Sequence, residues 1–176
     1  MHSLSRFRDG FGGFLRACGL VAGTLTFAVM CLVVANALLR YAFNMPILGA
    51  LELTESALPL MIFLSLALTQ YEGGHIKVVL LTHTLAPGPQ RWAKVLAMLL
   101  GAALFAWAAY AGWLMAMKSL AMGELERGSI RFPIWPIKFA VFFGLALLAV
   151  QFLIDAVYAA AGGRLPDTVP EEEDAP

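Results

Sequence analysis

Residues Ala17 to Leu39 read ACGLVAGTLTFAVMCLVVANALL, twenty-three positions without one charged side chain. A helix needs about 20 apolar residues to cross the roughly 30 Å hydrocarbon core of a bilayer, so this stretch is long enough to span it. Arg6, Arg8 and Arg16 precede it as they would in a signal peptide. The run is longer than the roughly 7–15 residues of a signal-peptide core, and it reads as a retained first transmembrane helix. Working outward, three more apolar runs follow, about Ser56 to Tyr71, Trp92 to Met117 and Ile134 to Ala161. The expected fold is an all-α membrane protein of four transmembrane helices. Residues 1–16 form a cytoplasmic N-terminal segment, 17–161 the four-helix domain and 162–176 an acidic, Pro-rich cytoplasmic tail without fixed structure.

Composition agrees. Of the 176 residues 60% are hydrophobic and 14% charged, against about half apolar and a quarter charged in a soluble domain, and mean hydropathy is +0.77. The net charge is zero and the basic residues are dispersed, which argues against nucleic acid as a partner. Membrane lipids are the expected surroundings. Cys18 and Cys31 lie thirteen residues apart in one helix, too far for a disulfide, and read as packing thiols.

The connections carry the polar residues. The second helix can start as early as Pro46, placing Glu52 and Glu55 in its early turns near the positive end of the helix dipole, and Pro59 then falls inside it as a kink site. Between spans two and three, residues 75–83 read HIKVVLLTH, too short to span. They suit a short interfacial amphipathic helix, with Lys77 and His83 toward the headgroups and a Pro-Gly-Pro break at Pro87 to Pro89 after it. The third connection holds Glu124, Glu126, Arg127 and Arg131 before Pro133 and Pro136 open the last span. Counting Lys and Arg on the two sides gives seven with the termini and five opposite, which places both termini in the cytoplasm. Gly19 and Gly23, and Ala108, Gly112 and Ala116, recur at four-residue spacing as helix-contact positions. Trp92, Trp113 and Trp135 sit near span ends, where indoles favour the interface. Trp107 lies deeper and should pack against a neighbour.

Chemistry-bearing clusters are absent from the sequence. The histidines are His2, His75 and His83, none in mid-span, so a bis-histidine haem anchor has no ligands. No metal-ligand spacing and no nucleophile–base motif occurs, and the chain reads as a non-enzyme with no cofactor and no catalytic, substrate-binding or metal-binding residue. Small four-span proton-coupled exporters use a carboxylate within their first helix, and Ala17 to Leu39 has none. Asp155, about two turns from the end of span four with Gln151 one turn away, comes nearest to an intramembrane carboxylate. It reads as an interfacial cap or partner contact ahead of an ion site. Lys138 can snorkel. Arg40 ends span one, and Glu52 and Glu55 share one face of the next helix, so a short hairpin could pair them and lock the two spans together; three solvated interfacial charges are the other reading.

The ordered series Asn36, Arg40-Tyr41-Ala42-Phe43-Asn44, Glu52-Leu53-Thr54-Glu55 and Gly73-Gly74-His75-Ile76-Lys77-Val78 resembles the small membrane subunit, the Q component, of tripartite ATP-independent periplasmic (TRAP) transporters. The resemblance implies a scaffold subunit of the bacterial inner membrane. Its partners would be a large TRAP membrane subunit on a separate chain and a periplasmic substrate-binding protein, in a symport system for sodium-coupled organic acid uptake. Carried over to this chain, Arg40, Asn44, Glu52, Glu55, Gly74 and His75 take structural or subunit-interface roles, and Gly73 with Gly74 makes a tight exit from span two. The charged third loop would face the periplasm, making Glu124, Glu126, Arg127 and Arg131 contacts for docking the binding protein. A self-contained homo-oligomeric carrier is the alternative.

Overall fold

The computed structural model describes residues 2–73 and 87–162. Four helices make up nearly all of it: α1 (His2–Phe43), α2 (Ala50–Tyr71), α3 (Pro87–Met122) and α4 (Trp135–Ala160). All four contain stretches long and apolar enough to cross a membrane, as expected. The interfacial helix proposed for residues 75–83, together with Gly74, His75 and the acidic tail, lies outside the described residues.

Three boundaries differ from expectation for identifiable reasons. Helix α1 has 42 residues and extends back through the segment expected to precede the first span. At 1.5 Å per residue it is about 63 Å long, twice the hydrocarbon thickness. The second helix starts at Ala50 and not at Pro46, because Gly49 takes a left-handed conformation (φ 79°) that resets the chain just before it. The third helix starts at Pro87 and not near Trp92: Pro87 and Pro89 lie in its first turn, where a missing N–H leaves no helical bond unmade. Helix α2 continues through Pro59.

Each helix ends in a left-handed residue that turns the chain out of the helical path: Asn44 (φ 54°) after α1, Gly73 (φ 78°) after α2, Gly123 (φ 60°) after α3 and Gly162 (φ 85°) after α4. Asparagine is among the few non-glycine residues that accept this conformation readily, which gives Asn44 a structural role. The α1–α2 connection is held from within the membrane span, where Asn36 Oδ1 accepts the Ile47 N–H at 2.8 Å.

The helices form a row. α1 packs on α2, α2 on α4 and α4 on α3, while α1 and α4 touch only lightly. Helix association in lipid gains little from hydrophobicity, so close approach and polar contacts have to hold the row together. Gly144 of α4 lies so near the Phe63 carbonyl of α2 that an added Cβ would overlap the backbone oxygen. Gly19 contacts Leu68 and Gly112 contacts Phe142, as the small-residue spacing predicts, and Ala116 is fully buried. Gly23, the other expected contact in α1, meets no side chain. The buried cluster of Leu15, Ala67, Tyr71, Leu147 and Leu148 joins α1, α2 and α4, and Phe105 of α3 stacks on Phe152 beside it, with ring centroids 5.5 Å apart.

Candidate functional site

The polar groups gather at the two ends of the helix bundle. At the end holding the chain termini, Asp155 of α4 is 1% exposed and accepts hydrogen bonds from three helices. Arg8 Nε of α1 reaches Oδ1 at 3.3 Å, Gln151 Nε2 of α4 reaches the same oxygen at 2.9 Å, and Gln70 Nε2 of α2 reaches Oδ2 at 3.0 Å. Helix α3 adds the Met98 sulfur, 3.6 Å from the Gln70 amide. Arg8 also donates to the Tyr71 carbonyl at 3.2 Å, and its guanidinium lies 4.7 Å from the Tyr71 ring centroid and 5.4 Å from that of Tyr158. Gln151 Oε1 is the buried side-chain polar atom left without a partner among the described residues. Turning that amide over to satisfy it would withdraw the N–H from Asp155.

A carboxylate this deep in apolar surroundings persists as an ion only when paired and hydrogen-bonded. Asp155 is paired with Arg8 and hydrogen-bonded to Gln70 and Gln151, so its side chain is engaged in clamping the fold. The sequence places Arg8 in a segment before the first span, whereas the structure brings it into the bundle. The signal that could have found it was topological: with an even number of spans, the start of α1 and the end of α4 share one end of the bundle, and Asp155 needs a cation there.

At the opposite end, the connection between α3 and α4 folds back on itself. Glu126 N–H donates to the Phe132 carbonyl at 2.9 Å and Ile134 N–H to the Glu124 carbonyl at 3.1 Å, with a bridge between Leu125 and Pro133. The tip of this turn lies across the start of α2. Ile130 covers Gly49, Gly128 packs against the Glu52 side chain, and Ser129 N–H donates to the Glu52 carboxylate. Glu52 is thus buried by a loop 77 residues away in sequence. Glu124 accepts from Ser119 Oγ at 2.8 Å and from Lys138 Nζ. The Lys138 hydrogen bond, then the Ser119 one, holds the Glu124 carboxyl below the ordinary glutamate range.

Arg40, in contrast, is exposed and pairs with neither Glu52 nor Glu55 among the described residues, so the expected lock between spans one and two does not form. Glu52 is taken by the loop backbone, and Glu55 points outward, exposed. Arg127 and Arg131 are exposed on the fold-back, while Glu126 Oε1 accepts the Arg127 N–H at 3.1 Å.

Among the described residues no group of three or more His, Cys, Asp or Glu side chains could hold a metal ion. Two polar ends flank apolar helices, then, in a membrane chain whose deepest carboxylate is already engaged. Residues 29–162 match the family model described as tripartite ATP-independent periplasmic transporters, DctQ component. The chain belongs to the DctQ family. This is a family of transporter components and not of enzymes, and the Asn36-to-Glu55 motif series falls inside the matched region. No curated protein matches the chain. In this DctQ component, Asp155 lies within the matched residues and Arg8 lies before them, so the clamp joins the family core to the N-terminal extension of α1.

Proposed function

We propose that this DctQ component is the small scaffold subunit of a TRAP-type importer in the bacterial inner membrane, with both termini cytoplasmic. It packs against a large transport subunit on a separate chain and helps dock a periplasmic binding protein during sodium-coupled symport of an organic acid. The reading is carried by the family match across residues 29–162. The row of helices supports it: α1 and α3 each have one main neighbour and leave broad apolar faces available to another membrane protein.

In this reading the fold-back between α3 and α4 faces the periplasm and meets the binding protein. Glu124 and Glu126 hold the turn, while the exposed Arg127 and Arg131 supply contacts to an acidic patch. Arg40 and Glu55, exposed and near the same end, serve as contacts for the large subunit, with Asn44 and Glu52 shaping the backbone that presents them. Gly74 and His75 keep their proposed interface role. Charge reversal at Arg127 and Arg131 should weaken binding-protein docking and uptake without lowering the amount of this chain in the membrane; unchanged uptake would remove that assignment.

The primary test is co-purification of the tagged chain from its native membrane in mild detergent. A large polytopic membrane protein should remain bound. Recovery of the chain alone as a homo-oligomer would favour the self-contained carrier instead.

A further inference from the structure

Near the middle of α3 two polar aromatic side chains stand without a partner among the described residues. Trp107 and Tyr110 of α3 are 72% and 61% exposed, and neither makes a hydrogen bond or ring contact among the described residues. Their depth follows from the sequence. The charge-free run of α3 lies between Lys94 and Lys118, with its midpoint at residue 106, so Trp107 sits at mid-span about 15 Å from either membrane interface. Packing agrees, since Phe105 stacks on Phe152 and Gly112 meets Phe142, bracketing the middle of α4.

Direction is equally defined. Met98, Ala102, Ala109 and Ala116 form the buried ridge of α3 toward α4. At about 100° per residue, Trp107 points nearly opposite to that ridge and Tyr110 lies beside it on the outer face. Exposed Ala103 and Ala111 flank Trp107 one turn before and one turn after.

Tryptophan and tyrosine favour the membrane interface because each carries a polar handle that needs a partner. At mid-bilayer the lipid tails offer none, and an unmet N–H or O–H there is costly. The short hydroxyls of Thr24, Thr26, Ser65 and Thr69 are satisfied within their own helices, each bonding the carbonyl four residues before. An indole or phenol held far out from its own backbone has no such recourse.

Resting on the scaffold reading above, we infer that the Trp107–Tyr110 face of α3 is where the large subunit seats a transmembrane helix presenting a hydrogen-bond acceptor at mid-bilayer. The exposed alanines on either side of Trp107 let that helix approach closely. A second copy of this chain fits less well. Across a two-fold axis Trp107 could donate to the Tyr110 oxygen, but the Tyr110 hydrogen would still lack an acceptor.

Two measurements on the intact complex in its native membrane test this. Trp107→p-benzoylphenylalanine, after irradiation, should give an adduct between this chain and a much larger membrane protein. Trp107→Phe combined with Tyr110→Phe keeps the rings and removes both donors. It should lower retention of the large subunit through mild detergent roughly tenfold, with the chain's own abundance and melting unchanged because both rings are kept and neither lost donor has a partner among the described residues. Adducts to lipid or to a second copy, or full retention by the double variant, would overturn the inference while leaving the scaffold reading intact. Failure of the unsubstituted chain to retain any large subunit would overturn both.

Discussion

The two polar ends of the helix bundle use the same residue types in different ways. At the terminal end, Arg8 and Asp155 are buried together and joined by Gln70 and Gln151, so one carboxylate ties α1, α2 and α4. At the loop end, Glu52 is covered by a folded-back turn and satisfied by a backbone N–H, while Glu124 and Lys138 pair in the open. A charge pair removed from water has high cost if broken, because the survivor is left without a partner; a pair in contact with water loses little. The terminal end therefore fixes the fold, and the loop end shapes a surface that a partner can meet.

Breaking the clamp should have the largest effect. Asp155→Ala leaves Arg8 buried and uncompensated and should cost about 3–5 kcal/mol, read as a lower melting temperature in detergent and less chain in the membrane. Arg8→Met with Asp155→Leu should recover most of that loss, and a double variant as damaged as the singles would show that the pair is not the source of the stability.

Next comes the close approach between helices. Gly144→Ala forces a Cβ against the Phe63 carbonyl and should cost about 1–3 kcal/mol, measured by the same melting curves. A neutral outcome would mean that α2 and α4 can separate freely, and would weaken the row architecture.

At the loop end, Glu52→Ala removes the acceptor of the Ser129 N–H and should destabilise less than Gly144→Ala, whereas Glu52→Gln retains an acceptor and should be milder still. Equal damage from both substitutions would show that the charge matters more than the acceptor.

The smallest effect belongs to Glu124. Its carboxyl is held below the ordinary glutamate range, so it binds protons more weakly when folded than when unfolded. The associated stability is present above the ordinary glutamate value and lost as pH falls through the lower folded value. The melting difference between the native chain and Glu124→Gln should be small at neutral pH and should vanish in acid. A difference that grows in acid would contradict the assigned direction.

The four spans were legible in the sequence because an uncharged run such as Ala17 to Leu39 has one inexpensive place to be. The motif residues were legible as a series, and Asn36, Asn44 and Gly73 act locally: a hydrogen bond across eleven residues and two left-handed turns. The site was less legible where contacts cross the fold. Arg8 and Asp155 are 147 residues apart and Glu52 and Ser129 are 77 apart, so spacing could not join them. The expected Arg40 pair with Glu52 and Glu55 failed for a related reason: nearness in sequence suggested it, but the distant loop backbone takes Glu52 first.

That this chain supports transport without performing it is the central proposal, and reconstitution tests it most directly. The proposed large subunit would be placed in liposomes under a sodium gradient, with the proposed binding protein loaded with a candidate organic acid, with and without this chain. Uptake should require all three proteins, and liposomes holding this chain alone should show none. Sodium-driven uptake by this chain alone, lost on Asp155→Asn, would contradict the account.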